Sequence, residues 1–130
     1  MVKELWKNEP DPHDFPAATD YLRLLLPEAA VNATIKALRK APVTQRKAKD
    51  LLRASQLPIL PPDNVHVRND LGKIANGVLL SPVLLVRGSL EDGWPLQVAD
   101  GYHRICASFH IAEDADIPCL ITDARLKNRS

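Results

Sequence analysis

No apolar run in this chain approaches the ~20 residues that span a bilayer, and the stretch from Met1 to Asp14 lacks a signal-peptide pattern. Those two absences lead to the expectation of a cytoplasmic protein with no membrane partner. An excess of one charge is also missing. The 17 Lys and Arg stand against 16 Asp and Glu, a formal net charge of +1, which gives no strong pull toward nucleic acid or lipid. Cysteine is scarce: Cys106 and Cys119 read as small core thiols in a reducing compartment, not as a disulfide framework. No internal repeat or low-complexity segment is present.

What remains is an ordinary globular composition. The 130 residues, 45% apolar and 25% charged, suffice for one domain with its own core and are too few for two. Eleven prolines fall mostly between apolar segments, so short elements joined by rigid turns are expected. Residues 1–13 read as an arm held by Leu5 and Trp6. Tyr21, Leu22, Leu25 and Leu26 line one face of a helix over 16–26. Beyond Pro27, Ala30, Ile35, Leu38 and Ala41 mark a second helix. Its early Glu28 and late Arg39 and Lys40 complement the helix dipole.

Residues 44–55 read either as helix or as including a short strand; the spacing of Ala48, Leu51, Leu52 and Ser55 favours a third helix starting near Thr44. Residues 57–60 read as a short strand or extended link. Asp63 is placed to cap a helix reaching about Ala75, with Gly77 as its stop. A strand over 83–86, a turn over 88–93, a strand over 96–99, a helix over 102–111 and a strand over 117–121 complete the pattern. The expected class is α+β. A small mixed sheet with packed helices occupies residues 57–122, after an N-terminal helical part over 1–56 and before a basic tail over 123–130 with Arg125, Lys127 and Arg129.

Chemistry concentrates in Val98-Ala99-Asp100-Gly101-Tyr102-His103-Arg104-Ile105-Cys106-Ala107-Ser108. A short apolar run meets an Asp-Gly turn signal and passes into an apolar set with helical spacing, which reads as strand, tight turn and helix N-terminus. A helix start has unpaired N–H groups and the positive end of the dipole, so it attracts anions. Gly101 lets the backbone come close, and Arg104 offers a planar fork of donors suited to phosphate. The functional reading is a phosphate grip; the plainer one for Arg104 is a surface ion pair.

His103 is either a phosphate donor or acid–base group, or a solvent-facing residue. Tyr102 places a ring at the pocket mouth or simply packs. Asp100 orients Arg104, meets a metal carried by a nucleotide, or is only a turn residue. Ser81, ahead of Pro82 at a strand start, is a further polar candidate. Asn69 and Lys73 offer donors from an opposite wall, against the default of a solvated face. His103 and His110 share a helical face, but no Cys or carboxylate pattern accompanies them, so no metal site is assigned.

The pattern G-x-x-R-x-x-A, filled by Gly101, Arg104 and Ala107, resembles the signature of the ParB/sulfiredoxin superfamily. Upstream, Asn76-Gly77 and Ser81-Pro82-Val83-Leu84-Leu85-Val86-Arg87 resemble the strand that precedes this motif in ParB N-terminal domains. Downstream, Asp116-Ile117-Pro118-Cys119-Leu120-Ile121 resembles the closing strand. The resemblance covers residues 57–122. It implies a ParB/sulfiredoxin-like fold and a pocket for an anionic ligand, with a nucleoside triphosphate and Mg²⁺ as the implied cofactor.

Departures narrow the reading. Tyr102 stands where sulfiredoxin-type enzymes carry their reactive Cys, so a sulfinic-acid reductase step has no nucleophile. ParB partition proteins add an acidic-basic pair, a second arginine motif and a helical DNA-reading domain. Here Tyr102-His103 follows Gly101, and no such domain is expected within these 130 residues. The expected function is therefore nucleotide or phosphate binding at residues 100–107. Phosphoryl transfer or nucleotide hydrolysis is the class that chemistry there would take, but no general base or nucleophile stands out. The alternative is a non-catalytic DNA-associated or partner-binding module of a plasmid partition or regulatory system, with Trp94-Pro95 as an exposed contact.

Overall fold

Val83, Leu84, Leu85 and Val86 are four apolar residues in a row, and each is buried. Successive strand side chains point to opposite faces, so such a strand needs cover on both sides. The computed structural model, which describes residues 5–125, shows that cover. Its elements are α1 (Asp14–Leu22), α2 (Glu28–Lys40), β1 (Thr44–Lys47), α3 (Ala48–Ser55), α4 (Val65–Ala75), β2 (Val83–Val86), β3 (Gln97–Asp100), α5 (Tyr102–Ile111) and β4 (Asp116–Thr122). The four strands form one sheet in the order β1-β4-β2-β3. The pairing of β2 with β4 is parallel and the other two are antiparallel, so the sheet is mixed. This is an α+β fold with packed helices.

The sheet divides the core in two. Leu84, Val86, Ala99 and Leu120 face Phe15, Ala18 and Leu22 of α1 and Val31, Ile35 and Leu38 of α2. Val83, Leu85, Val98, Ile117 and Cys119 face the other way, toward Leu51 and Leu52 of α3, Val67 and Ile74 of α4, and Ile105 and Ala107 of α5. Among the described residues no helix is long and apolar enough to cross a membrane.

Several elements differ from the sequence reading. Thr44–Lys47 is a strand, not the start of a helix: it pairs with β4, Thr44 lying opposite Cys119 and Lys47 opposite Asp116. The helix begins at Ala48, where the N–H groups of Ala48 and Lys49 donate to the carbonyls of Ala115 and Glu113 at 2.9 and 3.0 Å. The 1–56 part is therefore not purely helical; it adds an edge strand, and its helices cover both faces of the sheet. Residues 57–60 are an extended link with no strand partner.

The cap of α4 is Asn64 and not Asp63. The Asn64 Oδ1 accepts from the N–H groups of His66 and Val67 at 3.0 and 3.2 Å. Helix α1 starts at Asp14 and ends at Leu22, four residues short of the expected end. The N-terminal arm is tied down by a bridge between Trp6 and Leu80, with Lys7 N–H donating to the Leu80 carbonyl at 2.8 Å. Of the basic tail, residues 126–130 lie outside the described residues.

Candidate functional site

Strand β3 stops at Asp100 because Gly101 turns the chain with φ +112°. Only glycine fits there. A Cβ would sit 2.4 Å from Val83 Cγ1 and 2.8 Å from Arg104 Nη2, and the φ lies in a region other residues avoid. Helix α5 starts at the next residue, and no side chain caps it. Its leading N–H groups are therefore left as donors at the positive end of the helix.

Helix α4 packs beside this junction, and the two enclose a concavity of about 230 Å³. His66, Asn69, Asp70 and Lys73 line it from α4. Asp100, Gly101, His103 and Arg104 line it from the β3–α5 junction. The fold thus brings together six of the eight residues singled out in the sequence: Asn69, Lys73, Asp100, Gly101, His103 and Arg104. His66 and Asp70 were missed. Their signal was readable, since 66, 69, 70 and 73 have the spacing of one helical stripe.

Two expected residues are placed elsewhere. Tyr102 does not stand at the mouth: its hydroxyl donates to the Pro58 carbonyl at 2.5 Å and pins the extended link against α5. Ser81 is buried and does not line the concavity. Its neighbour Pro82 takes the polar contact instead, the carbonyl accepting from Arg104 Nη2 at 3.4 Å.

Arg104 is held differently from a free phosphate grip. Its Nη2 lies 3.0 Å from Asp100 Oδ2, and its Nη1 lies 3.8 Å from Asp14 Oδ1. Asp14, at the start of α1, is 1% exposed and also accepts from the Asp11 N–H at 2.9 Å. Only the Nε of Arg104 is buried without a partner. The guanidinium is thus largely neutralised by two carboxylates, and an incoming anion has to compete with them. Burial pushes the Asp100 carboxyl up to about 6; the Arg104 charge opposes this and the neighbouring Asp14 carboxyl adds to it.

The histidines form a second group. The ring of His103 lies 4.6 Å from that of His66 and 5.6 Å from that of Tyr102, centroid to centroid. Burial, reinforced by the His66 charge, holds His103 below its ordinary value, while Asp70 pulls the other way. Burial raises the Asp70 carboxyl, opposed first by Lys73, whose Nζ is 3.9 Å away. Lys73 is half exposed and is the cation most open to a ligand. His110 takes no part; its Nε2 meets the Leu60 carbonyl at 2.6 Å.

Asp11, His13 and Asp14 offer ligand atoms within 4.8 Å of one another, a cluster not read from the sequence. Its charge is already balanced by Lys7, 2.5 Å from Asp11, and by Arg104. Cys106 and Cys119 are fully buried free thiols, both raised by burial, so neither is an accessible nucleophile. Comparison with family models, with curated proteins and with solved structures finds no match to this chain.

Proposed function

We propose that the protein binds a phosphate-bearing ligand, a nucleotide in the leading case, in the concavity between α4 and the start of α5. The observation that carries this reading is the uncapped N-terminus of α5 opening onto a polar pocket walled by Lys73, His66, His103 and Asn69. A volume of about 230 Å³ suits phosphate groups, with a sugar and base outside. Asp70 and Asp100 would repel a bare polyphosphate, so the ligand enters with a divalent cation such as Mg²⁺. The resemblance of Gly101, Arg104 and Ala107 to the ParB/sulfiredoxin motif supports the same ligand class. In this reading Lys73, His103 and the α5 amides contact the phosphate, and Arg104 holds the junction rigid behind them.

The test is calorimetric titration and thermal melting with ATP, ADP, CTP, GTP and pyrophosphate, each with and without Mg²⁺. At least one should raise the melting temperature, because a ligand bound only to the folded state stabilises it. Lys73→Ala should weaken that ligand about tenfold, the size of a lost charge-assisted contact. Binding unchanged in Lys73→Ala and His103→Ala, or no ligand at all among the five, overturns the reading.

A further inference from the structure

The near-neutral charge of the chain conceals a segregation. Residues 29–49 hold six Lys and Arg and no Asp or Glu, and residues 124–130 hold three and none. The rest of the chain carries eight basic and sixteen acidic residues. Folding brings Arg125, at the start of the second segment, against α2 of the first. The Arg125 N–H donates to Thr34 Oγ1 of α2 at 3.0 Å, and Arg125 Nη2 donates to Thr122 Oγ1 at 3.3 Å. Between them runs a groove of about 540 Å³. Lys36 and Lys40, one turn apart on α2, and Arg125 supply its charge; Ala33, Ala37 and Ile121 supply a small apolar floor. Among the described residues no carboxylate pairs with any of the three cations.

We infer that this groove docks an acidic segment of a partner protein that also carries apolar side chains. The cations ask for carboxylates, and the floor asks for something to bury. A nucleic-acid backbone answers only the first demand. Three cations would also give it weak, steeply salt-sensitive binding. The last five residues of the chain, with two cations and no acid, are not complementary to the groove either. The groove is lined from α2 and the end of β4, whereas the phosphate pocket lies between α4 and the β3–α5 junction, and the two share no lining residue. The two readings therefore stand or fall separately.

The experiment is fluorescence anisotropy on the full chain with a short labelled peptide of mixed Glu and Leu. The comparison probes are versions with Glu replaced by Gln or Leu by Ser, and a labelled DNA duplex. The Glu/Leu peptide should bind, and each comparison probe should bind at least about tenfold more weakly. Lys36→Glu with Lys40→Glu should weaken the peptide at least about tenfold, and Lys36→Gln with Lys40→Gln by less. Both pairs are exposed, and circular dichroism checks that the fold persists. Lys73→Ala should leave peptide affinity unchanged. No peptide binding, binding indifferent to the charge reversal, tighter binding of the duplex, or salt-sensitive self-association lost in the same variant overturns the proposal.

Discussion

Arg104 shows how one residue can be right in place and different in role. It lies at the pocket, yet it is paired with two carboxylates, one of them on α1 and fully buried. Removing a cation from such a cluster leaves uncompensated buried charge, which typically costs about 3–5 kcal/mol. Arg104→Ala should therefore destabilise the fold by about 3 kcal/mol in urea melts, with Arg104→Lys recovering part. A loss below about 1 kcal/mol, the scale of a surface pair, would contradict this. Asp100 adds a pH signature. Its folded value of about 6 exceeds the unfolded value near ~3.9. Between the two, the folded state keeps a proton that the unfolded state has lost, so stability falls as pH rises through that window. The contribution is on the order of 2 kcal/mol, and Asp100→Asn should lack it. Melts of both proteins from about pH 4 to 7 would show the parent losing ground to the variant; the opposite trend would refute the assignment. The motif residues were legible because they are adjacent in the chain. Asp14 was not, because only folding brings α1 to the end of β3.

Elements were legible where their pattern is local. Helix α5 and strand β2 have the expected ends, since an apolar face at helical spacing and an unbroken apolar run each specify a period. Strand β1 has neither. Thr44, Gln45, Arg46 and Lys47 contain no apolar residue, and the strand exists because β4 offers an open edge beside it. The end of α3 falls where its pattern ends, at Ser55, although it closes on Gln56 at φ 60°, a conformation usually left to glycine. At α4 the choice between Asp63 and Asn64 could not be made from composition, because both residue types cap well. Asn64→Ala should cost about 1 kcal/mol by thermal or urea melting, and Asp63→Ala should cost much less. Equal losses would mean the cap is shared. Because α4 carries one wall of the pocket, the first variant should also weaken any phosphate ligand more than the second. Gly101→Ala is the harsher change at element scale, since it combines a strained φ with a clash on Val83. It should cost more than about 2 kcal/mol and shift the start of α5.

At the scale of the molecule the question is whether the N-terminal helices form a unit of their own. The core argues against independence. The residues that α1 and α2 cover, Leu84, Val86, Ala99 and Leu120, alternate along the strands with Val83, Leu85, Val98 and Cys119, which α3, α4 and α5 cover. Neither layer can leave without exposing one face of the same four-stranded sheet, and a sheet bare on one apolar face has no reason to persist. Unfolding should therefore be a single cooperative transition, with calorimetric and van't Hoff enthalpies in agreement. The sharpest form of the test uses neighbours in β2. Leu84 and Leu85 are both fully buried, on opposite faces, so Leu84→Ala and Leu85→Ala should each cost about 2–5 kcal/mol. Both should lower the one transition, seen alike by near-ultraviolet and far-ultraviolet circular dichroism. If Leu84→Ala instead split the melt in two, α1 and α2 would be detaching while the rest held, and the N-terminal helices would count as a separate unit after all. A single shifted melt in both variants ties the α2/β4 groove and the α4/α5 pocket to one rigid sheet.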